Sequence, residues 1–90
     1  MPKYAARVDS NQAQIVAALR DVGATVQVLS AVGQGCPDLL VGRQGVNYLI
    51  ECKVGHGRLT PDEERWHELW NGEVYICRDV DDALRIVGAV

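Results

Sequence analysis

The segment "PDLLVGRQGVNYLIECKV", residues 37–54, constrains the fold of this chain more than any other part of it. Two apolar runs, 38–43 and 47–54, flank a short connection at Gln44 and Gly45, a pattern typical of a β-hairpin. The first run begins with Asp38, and the second contains Glu51 and Lys53. Charged groups inside strands are costly unless something binds them. These three residues are therefore the first candidates for a functional site.

The other segments extend the hairpin to the order α-β-β-β-α-β-α. A helix is predicted at 10–22 from apolar residues at helical spacing, with Asp9 or Ser10 as N-cap and Gly23 beyond its end. Strands are predicted at 25–30 and 73–77, and a last helix at 79–90. Between the third strand and the strand at 73–77, a helix begins at Thr60, Pro61 and Glu63. Its apolar residues are Trp66, Leu69 and Trp70.

This order predicts an α/β fold in a single domain, residues 1–90. The first three strands form an antiparallel meander, and the fourth returns after a helix, which gives a mixed central sheet flanked by helices. Trp66 and Trp70 lie four residues apart on one helix face. They favour either core packing or a contact between two copies of the chain.

Composition narrows the class of function. The net charge of −3 argues against a protein that simply coats nucleic acid. It does not exclude an enzyme whose acidic cluster is neutralised by a divalent metal. The three cysteines, Cys36, Cys52 and Cys77, have no metal-clip spacing and are expected to be reduced thiols. No apolar run approaches the roughly 18–20 residues that span a bilayer. We therefore expect a cytoplasmic protein without membrane contact.

Hairpin geometry brings the charged residues together. With the turn near residues 44–46, paired positions sum to about 90, so Asp38 falls opposite Glu51 or Cys52 at a Cβ separation of ~4.5–5.5 Å. Glu51 and Lys53 share one face of their strand. Two carboxylates at such a short distance repel each other unless a proton or a cation lies between them. Carboxylate oxygens are ligands that suit Mg²⁺ or Mn²⁺. The alternative is a cross-strand ion pair on a solvated sheet face.

The spacing of these residues resembles a known signature. "PD", 12 residues and "ECK" are similar to the PD-(D/E)XK nuclease pattern, and the element order resembles the restriction-endonuclease-like αβββαβ core, here with an added C-terminal helix. More narrowly, "GCPDLLVGRQGVNYLIECKVGHGRLTPDEERWHELW" resembles the virus-type replication-repair nuclease (VRR-NUC) family, over most of the chain. That family has a G-x-PDLL segment, an E-x-K and an "LTP" that opens a helix.

The resemblance implies roles for particular residues. Asp38, Glu51 and the backbone carbonyl of Cys52 would bind Mg²⁺ or Mn²⁺, and Lys53 would be the catalytic lysine. Gln12 stands where such nucleases often have an acidic residue, so it is a possible further ligand without charge. Glu63 stands where a Gln often points at the site, although its capping role explains it equally well.

The function implied is a metal-dependent DNA endonuclease, structure-selective on branched DNA such as four-way (Holliday) junctions, acting as a homodimer in a bacterial or phage-infected cell. The alternatives are a weakly active or silent nucleic-acid-binding module on the same fold, and a structural domain whose charges form ion pairs. His67 is expected at the surface. Candidate DNA contacts are Lys3, Arg7, Arg43, His56 and Arg58.

Overall fold

The computed structural model of the chain describes residues 10–90. Three helices and four strands follow one another in the predicted order. They are α1 (Gln12–Asp21), β1 (Thr25–Val28), β2 (Leu39–Arg43), β3 (Val46–Cys52), α2 (Pro61–Leu69), β4 (Tyr75–Cys77) and α3 (Val80–Ile86). No helix in this part of the chain is long and apolar enough to cross a lipid bilayer.

The four strands form one mixed sheet in the order β1-β2-β3-β4. β2 is antiparallel to both β1 and β3, whereas β4 joins β3 in parallel. Gln44 and Gly45 form the two-residue turn between Arg43 and Val46, with φ of 52° and 83°. Positive φ at both central positions suits the right-handed twist of a hairpin. The predicted meander and mixed sheet are thus confirmed.

The core lies between one face of the sheet and the helices α1 and α3. Ile15 and Leu19 of α1 are fully buried because their spacing places both on one side of the helix. Alternate residues of β2 and β3 meet them, and the helices contact each other and the edge strands β1 and β4. The sheet contributes Leu39, Val41, Ile50, Cys52 and Cys77 to this core. All three cysteines are free thiols.

The opposite face of the sheet is much less covered. α2 contains no buried residue, and Leu69 is 75% exposed. The Trp66 and Trp70 rings stack on each other at a centroid distance of 4.6 Å, and Trp70 is 46% exposed. Of the two alternatives for the tryptophans, core packing is therefore wrong for Trp70, and Leu69 of the same stripe is exposed as well. Their side chains form an exposed apolar surface instead.

Element ends differ from the predictions by a few residues. The N-cap of α1 is Asn11, not Ser10, and its side chain makes no cap hydrogen bond, while Asp9 lies outside the described residues. Gly23 follows the Val22 C-cap with φ of 87°, as predicted. β1 ends at Val28 and α3 at Ile86, earlier than predicted.

Candidate active site

The register of the hairpin brings the two acidic residues together at one end of the sheet. Leu39 pairs with Ile50, so the next position outward sets Asp38 opposite Glu51. Asp38 Oδ2 accepts a hydrogen bond of 2.8 Å from the backbone N–H of Cys52. This bond fixes the Asp38 carboxylate at the strand that carries Glu51. The predicted pairing near a sum of 90 is confirmed.

Glu51 is buried without a full set of hydrogen-bond partners. It is only 1% exposed, and none of the residues 10–90 forms a hydrogen bond with its Oε1 atom. Burial raises the pKa of Glu51 to about 9, with further contributions from Asp38 and Glu63, while Lys53 acts in the opposite direction. An acidic group in this position favours its neutral form unless a positive charge arrives.

Lys53 supplies one positive charge, but its ammonium group lies closer to Glu63 than to Glu51. Its side chain is 11% exposed, and its Nζ lies 3.7 Å from Glu51 Oε2 and 2.8 Å from Glu63 Oε1. Glu63 therefore competes with Glu51 for the ammonium group. The cluster holds three carboxylates, from Asp38, Glu51 and Glu63, around a single lysine.

Glu63 combines the two roles that the sequence left open. Its Oε1 accepts from the Thr60 N–H at 2.8 Å, and the Glu63 N–H donates to Thr60 Oγ1, which completes the capping box. The same carboxylate binds Lys53. Burial alone would raise the pKa of Glu63, but the bonds from Lys53 and Thr60 outweigh it and lower the pKa.

The chemistry of this donor set fits a hard divalent cation. The Asp38 and Glu51 carboxylates supply oxygen, and the unpartnered Glu51 Oε1 has capacity for a ligand. The Cys52 N–H points toward Asp38, and the C=O of a strand residue points to the same side as its N–H. Within residues 10–90, no cluster of three or more His, Cys, Asp or Glu side chains is spaced to hold a metal. A cation bound here would need water or substrate to complete its shell, as is usual for Mg²⁺.

Gln12 is buried, at 6% exposure, but its amide faces Ser30. Its Nε2 lies 3.4 Å from Ser30 Oγ, and its Oε1 lies 3.5 Å from the same hydroxyl. This pairing ties the first turn of α1 to the connection after β1. A role for Gln12 as a metal ligand stays a prediction.

The candidate DNA contacts fall in different places. His56 and Arg58 are exposed on the connection between β3 and α2, next to Lys53. Arg43 lies at the other end of β2 from Asp38, where its guanidinium donates to the carbonyls of Val22 and Val87. Those bonds give Arg43 a role in packing. Lys3 and Arg7 lie outside the described residues.

Two residues near the acidic cluster were missed from the sequence. Burial raises the pKa of the Cys36 thiol, and the charges of Glu51 and Asp38 add to the effect. His67 is half-buried rather than a surface residue, and its Nε2 has no hydrogen-bond partner in the described part of the chain. Burial lowers the pKa of His67, and Glu63 and Lys53 also act on it. Its position four residues after Glu63, on the same helix face, was the available signal.

The buried glutamate predicts a pH dependence of stability in the metal-free protein. The unfolded chain releases the Glu51 proton near the ordinary pKa of 4.5, whereas the folded chain keeps it to about 9. The free energy of unfolding should therefore fall as the pH rises through this range. Glu51→Gln, which cannot ionise, should remove most of that fall in urea titrations at several pH values. Parallel pH profiles for the two proteins would contradict the assignment.

Comparison with protein-family models, with curated proteins and with solved structures gave no significant match for this chain. The likeness to VRR-NUC nucleases therefore depends on the sequence motif and the site it predicts.

Proposed function

We propose that the chain is a divalent-metal-dependent DNA endonuclease of the PD-(D/E)XK class. The observation that carries the proposal is the buried Glu51 carboxyl, which has an unpartnered oxygen and lies beside Asp38 and Lys53. A structural ion pair would not explain this arrangement, because Lys53 is closer to Glu63 than to Glu51. A buried carboxyl with an oxygen that lacks a hydrogen-bond partner costs stability, and a bound cation would offset that cost.

Each residue has a chemical role in the proposed reaction. Asp38, Glu51 and the Cys52 carbonyl hold Mg²⁺ or Mn²⁺, which when bound activates a water nucleophile and stabilises charge on the phosphate. Lys53 orients the attacking water or stabilises the negative charge that develops on the phosphodiester. Glu63 holds the Lys53 ammonium in place through their 2.8 Å contact.

The proposed active form is a homodimer. An apolar groove of about 390 Å³ lies on the exposed sheet face beside the end of α2, and Leu40, Leu49 and Trp70 form part of its lining. A two-fold arrangement over such a surface would bury Leu69 and Trp70 and set two sites for two strands. A symmetric pair of sites suits a four-way junction. Light scattering of the purified protein tests the dimer directly.

The experiment that tests the function is cleavage of a substrate panel. Labelled duplex, single-stranded, flap and four-way junction DNA are incubated with Mg²⁺, with Mn²⁺ and with EDTA. We expect metal-dependent cleavage, strongest on the junction, and none in EDTA. Absence of cleavage on every substrate with both metals would overturn the proposal.

The same panel distinguishes a binding module. The amide at Gln12, in place of an acidic group, favours that candidate because it removes one charge from the candidate metal ligands. A silent module would bind the junction with equal affinity in wild type and Lys53→Ala, and neither protein would cut it. A nuclease would lose cleavage in Lys53→Ala and retain binding.

A further inference from the structure

Two side chains from distant parts of the chain hold the backbone around and after Lys53. Asn11 Nδ2 donates to the Lys53 carbonyl at 3.2 Å and to the Arg78 carbonyl at 3.0 Å. Arg78 Nη1 donates to the carbonyls of Gly55 and Gly57 at 2.7 and 2.9 Å. The loop between β3 and α2 is therefore fixed by contacts from the end of β4 and the start of α1.

The backbone at Arg78 and at the residue before it is also held by hydrogen bonds. The residue before it, Cys77, accepts a bond of 2.9 Å from the Lys53 N–H through its carbonyl. The Arg78 N–H donates to Asp82 Oδ2 in the first turn of α3, also at 2.9 Å. Arg78 thus connects the parallel strand pair, α3 and the loop. Its guanidinium binds two loop carbonyls and no carboxylate in the described part of the chain.

The loop held in this way borders the Lys53 side chain. The Gly57 N–H donates to the Val54 carbonyl at 2.9 Å, which closes a tight turn. A Cβ atom built on Gly57 would lie 3.9 Å from Lys53 Cδ, so the main chain of the turn runs alongside the lysine stem. A shift of this turn would change the space in which the ammonium group is placed.

We propose that Arg78 is a positioning residue that acts through the 54–57 turn on Lys53 and on the exposed His56. The proposal rests on the proposed nuclease function. Its physical basis is that charge-assisted hydrogen bonds to two carbonyls hold a glycine-rich turn that would otherwise be free to move. Displacement of a catalytic group by about 1 Å can cost 10²-fold in rate.

The first test is kinetic. Arg78→Ala should lower kcat about 10- to 100-fold. Arg85→Ala is the matched control, because it removes the same charge from an exposed arginine whose guanidinium, among the described residues, bonds to Asp82 alone. It should leave kcat and the melting temperature unchanged. Arg78→Lys should recover part of the activity, since an ammonium group can still donate to a carbonyl.

The second test reads the position of Lys53 without any cleavage. The chain has two lysines, Lys3 and Lys53, so selective ¹³Cε-lysine labelling gives two signals. Arg78→Ala should shift the Lys53 signal and speed hydrogen exchange at the Gly57 amide, whereas Arg85→Ala should change neither. Unchanged Lys53 and Gly57 signals together with unchanged kcat would overturn the positioning role alone. A wild type that cuts nothing overturns the nuclease function, and the spectra still decide whether Arg78 positions Lys53.

Discussion

Glu51→Gln is expected to reduce metal-dependent DNA cleavage by more than about 100-fold, because changes in groups that merely support metal ligands already cost about 10–100-fold. Glutamine keeps the size of the side chain but cannot carry the negative charge that a cation requires. The side chain is 1% exposed, so the amide stays enclosed beside Asp38 and Lys53. Initial rates on a cleavable substrate, with Mg²⁺ or Mn²⁺ varied, give the measurement.

The matched control is Glu64→Gln, on the exposed side of α2. It makes the same carboxyl-to-amide change and leaves the acidic cluster intact, so its cleavage rate should match that of the wild type. Junction binding by Glu51→Gln in EDTA should also stay within a few-fold of wild type. If Glu51→Gln and Glu64→Gln cut DNA at similar rates, Glu51 is not a metal ligand in the reaction.

Gly35→Ala is expected to detach the start of α2 from the sheet. Gly35 has φ of 84°, and a Cβ there would lie 2.3 Å from the Asp62 carbonyl oxygen in the first turn of the helix. Left-handed strain of about 1–2 kcal/mol adds to an overpacking cost of about 1–3 kcal/mol. We expect a loss of roughly 3 kcal/mol in urea unfolding. Because Glu63 follows Asp62, its contact with Lys53 should weaken as well.

Gly33→Ala separates the two contributions. Gly33 also has positive φ, of 78°, but no atom lies within 4 Å of the position its Cβ would take. Its substitution should therefore cost only the backbone strain, about 1–2 kcal/mol. Equal losses for Gly33→Ala and Gly35→Ala would show that the close approach of Gly35 to α2 does not exist in solution.

Local rules predicted the hairpin and the meeting of its charges. Gln44 and Gly45 define a two-residue turn, and turn length fixes register, so the approach of Asp38 to Glu51 follows from the segment 38–51 alone. The start of α3 is equally local, because the side chain of its N-cap, Asp79, accepts from the Asp82 N–H three residues later. Such features are short-range, which is why sequence patterns contain them.

The contacts that complete the site are long-range, and sequence patterns do not contain them. Asn11 bonds to the carbonyl of Lys53, which lies 42 positions away in the sequence. Arg78 bonds to the loop after Lys53 from more than 20 positions away. The helical spacing of Trp66 and Trp70 correctly predicted that they share a face, but spacing cannot tell what covers that face. Residue spacing also does not predict that the Gln12 amide faces Ser30.

The measurement that tests the central claim most directly is calorimetric titration of Mn²⁺ into the purified protein and into Glu51→Gln. If Asp38 and Glu51 form a pocket for a hard cation, the wild type should bind Mn²⁺ in a defined stoichiometric step that EDTA reverses. The same step should be absent from Glu51→Gln, and its circular-dichroism spectrum should match that of the wild type. Identical titrations for the two proteins, or no binding by the wild type, would contradict the account.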